Sequence, residues 1–376
     1  MTKPKILVTA AAGNTGRPTV LALLEQGFPV RALVRRDDER AQALRRHGAE
    51  VVVGTLTDMG DVRVALRGVQ RAYFVAPFMA GALDAATSFA AAAEEQRLEV
   101  VVSLSMWLAD PMHPSVHTRR HWLADKVFSW MPSVGAVTVN PGFFAENYMA
   151  ALEPIAQFGL MTMPLGQGRN APPSNEDIAR VLAGVLADPE PHIGKTYRPT
   201  GPRLLSPTDI ADTFARVLAR KVTYRDVPFR MMAQVAKSIG FNNFDMAQLR
   251  WYVEEYRRDT FAIGAPSDAV LQVTGRPAED FETTVRRYVD NTPDTRRTLG
   301  SRPRALARLM KALATPAPNL ARYARTHDDP PLPHASLAID SPDWQSEHDP
   351  SRKNLGVDTQ PGQVTLPAAL TREASR

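Results

Sequence analysis

From Lys5 to Asn140 the chain alternates short β-branched runs with longer stretches of helical periodicity. That alternation restricts it to a parallel sheet covered by helices. The strand candidates are Lys5–Thr9, Val30–Val34, Glu50–Val53, Ala72–Val75, Glu99–Leu104 and Ala136–Asn140. Several are nearly continuous apolar runs, as strands buried on both faces should be. Between them Arg17–Gln26, Glu39–His47, Met59–Arg67, Leu83–Gln96 and Val116–Trp130 read as helices. Six strands with intervening helices predict an α/β fold with a doubly wound parallel sheet of the Rossmann type.

The turn from the first strand to the first helix reads Val8-Thr-Ala-Ala-Ala-Gly-Asn-Thr-Gly16-Arg17. Backbone N–H groups at such a helix N-terminus form an anion site. Gly13 lets the backbone approach a pyrophosphate, and Gly16 lets the helix pack closely on the sheet. Ala10 stands where the dinucleotide motif has its first glycine; a left-handed alanine there costs about 1–2 kcal/mol. The alternative is a glycine turn without a ligand. The second strand ends in Arg31-Ala-Leu-Val-Arg35-Arg36. An acid at this place suits the ribose hydroxyl of NAD, whereas arginine suits the 2′-phosphate of NADP(H). Arg35 is the main candidate and Arg36 shares the charge, with Asp37 and Asp38 beside them as partial neutralisers; two solvated arginines are the plainer reading.

Beyond residue 150 the pattern loosens. Helices are expected near Glu176–Leu186, Thr208–Ala219 (capped by Ser206), Phe229–Ser238, Asn243–Tyr256 and Phe281–Val289, with a strand near Thr196–Pro199. The expected organisation is a dinucleotide domain over 1–150, a smaller and mostly helical C-terminal lobe over 151–290, and a Pro-rich, partly basic extension over 291–376. Eleven of the 31 prolines lie from Pro293 onward, which argues against a long helix there. Arg304–Leu313 reads as a short basic helix, and residues 337–376 as extended, disordered, or an arm packed on the surface.

The chain has no cysteine, which removes disulfides, thiolate metal sites and a cysteine nucleophile together. The net charge of +5 is dispersed apart from the stretch Arg296–Arg325, so nucleic acid is not expected as the main partner. That stretch is instead a candidate contact for a second copy of the chain. No run reaches the ~18–20 apolar residues of a span, and the first residues lead directly into a strand. A membrane is therefore not expected as a partner, and the cytoplasm is the default location.

Taken in order, Ile6–Arg17, Val30–Arg36, Gly54–Asp58, Leu66–Val69 and Asn140-Pro-Gly-Phe-Phe-Ala-Glu-Asn147 form one set of signposts. Glu176–Ala179, Gly194–Gly201 and Val273–Pro277 extend it. Together they resemble the NmrA-like family, a branch of the atypical short-chain dehydrogenases, over about residues 4–290. The resemblance implies an NADPH-dependent reductase of quinones or other aromatic compounds. It equally admits a member that binds the cofactor to sense redox state and regulate a protein partner. A third option is an enzyme of the same fold that couples or rearranges aromatic natural-product intermediates. By position, Gly13, Asn14, Thr15 and Gly16 would hold phosphate, Arg35 the 2′-phosphate, and Ala76, Pro77 and Phe78 the adenosine side. Asn140, Pro141, Gly142, Phe143 and Phe144 would lie near the nicotinamide, with Asn140 replacing the arginine usual in the pattern.

The tyrosine and lysine that ordinary short-chain dehydrogenases use for proton transfer have no counterpart, because no tyrosine lies between Tyr73 and Tyr148. Ser103 and Ser105, after the fifth strand, are candidates for holding a substrate oxygen, or simply end the strand. His117, His121 and Asp125 share one helix face at i, i+4, i+8. His121 stands where related reductases place a basic or histidine residue, and imidazole is suited to donate a proton as hydride arrives. The alternatives are a surface histidine pair or a metal site, the latter disfavoured because zinc needs a closed ligand set; His113 is a weaker substitute for the donor. Phe78, Met106, Trp107, Phe143, Phe144, Tyr148 and Met161 are candidates for an aromatic-friendly substrate pocket at the strand ends, or else core.

Overall fold

The protein is described by a computed structural model covering residues 3–76, 78–79, 81–320, 322–323 and 332–349. The six expected strands form as β1 (Ile6–Val8), β2 (Val30–Val34), β3 (Glu50–Val53), β4 (Arg71–Val75), β5 (Val100–Leu104) and β6 (Gly135–Val139). The connecting helices are α1 (Gly16–Glu25), α2 (Glu39–Arg46), α3 (Met59–Leu66), α4 (Ala82–Gln96) and α5 (Val116–Ser129). Their starts follow local chemistry. Asp38, Asp58 and Ser115 accept backbone N–H groups at the first turns of α2, α3 and α5. β1, β2 and β5 are buried along their whole length, which explains their unbroken apolar runs.

After β6 come α6 (Leu152–Phe158), β7 (Leu160–Met163), α7 (Asn175–Ala187) and β8 (Thr196–Tyr197). β8 pairs with β6 through Val139 and Tyr197, giving a seven-stranded parallel sheet in the order β3-β2-β1-β4-β5-β6-β8. The strand expected at Thr196–Pro199 therefore belongs to the main sheet, not to the smaller lobe. α7 returns with it and packs against α1. Its Ile178, Val181, Leu182, Val185 and Leu186 share one core with Val20, Leu23, Val100 and Val102. A helix this apolar is stable only against another buried face. The chain thus leaves the dinucleotide layer after β6 and re-enters it before residue 200.

The second lobe contains α8 (Pro207–Leu218), β9 (Thr223–Asp226), α9 (Phe229–Ser238), α10 (Asn243–Arg257) and α12 (Phe281–Asn291), while α11 (Ala269–Thr274) packs on α7 and joins the core of the main sheet. β9 pairs in parallel with β7, a two-stranded sheet that the sequence pattern did not show. Ser206 caps α8, as the sequence suggested, and Asp209 completes a reciprocal capping box with it. The core of this lobe gathers Ile155, Phe214, Tyr256, Phe261 and Phe281 around Tyr148.

The extension contributes α13 (Ser301–Ala314) and α14 (Pro342–His348). Of the readings open for residues 337–376, the packed arm describes 337–349; residues 350–376 lie outside the described residues. Trp344 is 2% exposed and joins the same core as Trp107 and Leu108. Its indole Nε1 donates to the Trp107 carbonyl at 2.8 Å, and its ring stacks on His348 at 4.0 Å. Ser336 N donates to the Met112 carbonyl, and Ala338 N to the buried Glu255 carboxylate. α14 therefore sits on the loop that follows β5.

Candidate active site

The loop after β1 is held by backbone bonds from Gly13 N to the Ala10 carbonyl (2.8 Å), Arg17 N to Gly13 O (3.0 Å) and Ala11 N to Leu33 O (3.1 Å). Ala10 adopts φ +45°, the left-handed region that favours glycine. Thr15 caps α1 geometrically without a side-chain bond to the helix; its hydroxyl instead meets Tyr73 Oη at 2.8 Å from below. Asn14 is exposed on the loop. The amide groups at the α1 start are thus in place for a phosphate, with no acidic side chain in the first turn.

Arg35 and Arg36 project from the end of β2, both exposed and in no ion pair among the described residues. The two acids expected to neutralise them are engaged elsewhere. Asp37 pairs with Arg45 at 2.6 Å, whereas Asp38 pairs with Arg40 and caps α2. This leaves two cations beside the loop, the charge a 2′-phosphate requires.

At the ends of β4, β5 and β6, Ala76, Ser103, Ser105, Asn140, Pro141 and Gly142 are buried, and they sit on adjacent strands. Ser103 Oγ and Asn140 Oδ1 have no hydrogen-bond partner although buried, as does His117 Nδ1 on α5. Buried polar atoms are almost always satisfied, so orphans gathered at one end of a sheet mark a place for a polar ligand. Pro77 lies outside the described residues. Phe78 is 47% exposed and lies with its ring 4.0 Å from His117. With Met79, Asn242, Asn243, Phe244 and Tyr323 it lines a cleft of about 340 Å³. Met79 and Phe244 were not singled out in the sequence, because nothing local shows that the start of α10 reaches α5.

The helix face expected from the i, i+4, i+8 spacing exists. His117 and His121 meet edge to face at 4.6 Å, and both are buried. Burial pushes the His121 pKa down to about 4 and carries His117 well below the ordinary value. At neutral pH His121 is therefore imidazole, not the imidazolium that a proton donor needs. Asp125, one turn further on, behaves oppositely. Burial, opposed by the Ser105 hydrogen bond, raises its pKa to about 7. Ser105 Oγ lies 2.5 Å from Asp125 Oδ2. The sequence placed Asp125 on the right face but gave it no role, since a pKa shift depends on burial that no spacing reveals.

The aromatic candidates divide. Met106 lies in the loop after β5, Phe144 is half-buried against the main core, and Trp107, 1% exposed, belongs to the second core rather than to a pocket wall. Phe143 packs edge to face on Tyr148 and Tyr256. Tyr148 and Met161 have no exposed surface; Tyr148 Oη meets Tyr256 Oη at 2.7 Å. The structure puts these last two inside the second core, a correction to their expected place in a pocket wall; the strand-like burial of Met161 on β7 was hidden by its short strand. His113 is buried 3.2 Å from Glu255, in a structural setting. Among the described residues no group of three metal-ligating side chains comes together.

The family model described as the NmrA-like family matches residues 2–260. The NAD(P)H azoreductase of Xenophilus azovorans is 28% identical over 283 residues, 73% of this chain and 95% of that protein. The NADPH-dependent quinone oxidoreductase of Escherichia coli, solved with NADPH, superposes with a TM-score of 0.65 at 21% identity, over 75% of this chain and 99% of its own. NmrA, a negative transcriptional regulator solved with NADP, superposes with a TM-score of 0.64 at 17% identity, over 78% and 99%. α13 and α14 lie beyond the matched residues. With the signposts, the doubly wound sheet and the family match in agreement, the chain belongs to the NmrA-like family.

Proposed function

We propose that the protein is an NADPH-dependent reductase of a quinone, enone or related polycyclic aromatic substrate, and that Ser105 and Asp125 deliver the proton. The observation that carries this reading is the 2.5 Å bond between Ser105 and the part-buried Asp125 at the strand ends, beside the orphaned Ser103 and Asn140. The cradle fits the cofactor: Gly13 to Gly16 supply amides for the pyrophosphate, Arg35 and Arg36 take the 2′-phosphate, and Asn140 offers a buried oxygen to a carboxamide. Bound NADPH supplies the hydride that a conjugated carbonyl accepts. The chain then has to supply one proton to the reduced oxygen. Protonated Asp125 donates to Ser105 Oγ, and the Ser105 hydroxyl passes its own proton to the substrate oxygen. His121 stays neutral beneath them. Phe78 and Phe244 offer ring contacts in the adjoining cleft, and Met79 a flexible thioether.

Purified protein given NADPH and a panel of quinones should consume the reduced cofactor, read from its absorbance band. Tight binding without consumption would instead support a sensor that regulates a protein partner, a reading favoured by the missing tyrosine–lysine pair. Asp125→Asn is expected to lower kcat about 10²-fold at pH 6 while leaving NADPH affinity unchanged. Because the acid form is required, the parent rate should fall as pH rises through about 7, the Asp125 pKa; in the asparagine variant that limb disappears. An unchanged limb removes Asp125 from the mechanism. Arg35→Ala should weaken NADP about tenfold or more and leave NAD nearly unaffected, measured by calorimetry. Equal losses for both cofactors would move the 2′-phosphate elsewhere.

A further inference from the structure

α13 is amphipathic in an inverted sense. It turns Ser301, Ala305 and Ala312 inward and leaves Leu306, Leu309, Met310 and Leu313 exposed, at i, i+3, i+4 and i+7. Met310 is 58% and Leu306 51% exposed, values expected of charged residues rather than of a helix's largest apolar ones. α9, which packs against it, repeats the arrangement. It buries Ala233 and Ala236 and exposes Met231 and Val235, with Ile239 continuing the i, i+4 stripe. Small residues make the contact between the helices; the large ones face outward. Globular helices bury their apolar stripe, so an outward stripe on two neighbouring helices marks a surface that meets something else.

Charge decides what that is. From Arg296 to His327 the sequence contains no acidic residue, and neither α9 nor α13 carries one. Arg308 is tied to Glu153 and Asp294. Arg230, Lys237, Arg302, Arg304 and Lys311 enter no ion pair among the described residues. A second copy meeting this one through the same face would set two acid-free, net-positive regions against each other. Nucleic acid would use the cations and leave the leucines without a role. A surface that accepts apolar side chains below a layer of negative charge satisfies both features.

We propose that the α9–α13 face docks the protein onto anionic lipid bilayers, with Leu306, Leu309, Met310 and Leu313 entering the headgroup boundary and the net positive charge of the two helices drawing them to the anionic surface. No described helix is long and apolar enough to cross a membrane, so this is contact with the surface. The expectation of no membrane partner rested on the absence of a span and did not address this mode. The inference is independent of the reductase reading.

The test is co-sedimentation of the full chain with phosphatidylcholine vesicles prepared with and without phosphatidylglycerol. Binding is expected only with the anionic lipid, and to fall steeply with salt. Leu309→Asp/Met310→Asp should reduce it about 10-fold or more, and Arg304→Glu/Lys311→Glu by a similar factor. All four positions are exposed, so both variants should keep the parent circular dichroism and NADPH affinity. Three outcomes would overturn the proposal. These are no binding to either vesicle, a doubled mass by light scattering that the Leu309/Met310 variant abolishes, and DNA binding that survives the same variant.

Discussion

Gly16→Ala is expected to raise the Kd for NADPH about 10³-fold, whereas Ala10→Gly leaves it equal or tighter. A Cβ on Gly16 would lie 2.3 Å from the Ala10 carbonyl oxygen, 2.8 Å from its carbon and 2.9 Å from Ala11 Cα. All three are backbone atoms, so no rotamer relieves the clash. The loop is fixed to β2 through Leu33 and to α1 through Arg17, so it must move as a unit or separate from the sheet. A displacement of about 1 Å takes the amides out of hydrogen-bond range of a phosphate. Ala10 stores strain at φ +45°, about 1–2 kcal/mol that glycine removes. Glycine also loosens the unfolded chain by about 0.4–1 kcal/mol, so Tm should change little and affinity is the better readout. Calorimetry with NADPH checks both variants. If Gly16→Ala binds within tenfold of the parent, this loop is not the pyrophosphate seat.

The sheet and this loop were legible in the sequence because both depend on local chemistry: strands buried on both faces are apolar throughout, and a glycine that touches backbone tolerates nothing larger. Arg35 and Arg36 were legible for the same reason, standing at the end of a recognisable strand. β8 was not placed, since two residues carry too little pattern to reveal an edge pairing formed across more than fifty residues of chain. The face proposed to supply the proton was half legible. Spacing aligned His121 with Asp125, but which of them holds a proton at neutral pH follows from burial and from Ser105, both set by tertiary packing. Tyr148 and Met161 looked like pocket lining because core and pocket draw on the same residue types. The arm carrying Trp344 had no readable partner at all; its docking depends on a complementary surface at Trp107 and Glu255 that forms only once both lobes have folded.

That arm makes the second large effect. Trp344→Ala should cost about 3–5 kcal/mol of stability where the indole is docked, the range for removing a buried aromatic side chain. The ring is packed in the core with Trp107, bonded to the Trp107 carbonyl and stacked on His348. The close fit continues at Gly264, where any Cβ would meet the His348 carbonyl at 2.0 Å. A terminal segment can release without unfolding the rest, so the loss should appear first as local undocking. Limited proteolysis should cut the variant between residues 332 and 349 where the parent resists, and Tm should fall. Undocking also carries Glu347 away from Arg198, 3.7 Å distant, and from the surroundings of Asp125. Burial is the largest cause of the raised Asp125 pKa and Glu347 adds to it, while Lys126 and Arg198 oppose it. With burial reduced and Glu347 gone, both changes lower that pKa, so the falling limb of the pH–rate profile should move below 7. A variant with parental protease resistance and an unmoved limb would show that α14 neither holds the loop after β5 nor tunes its acid.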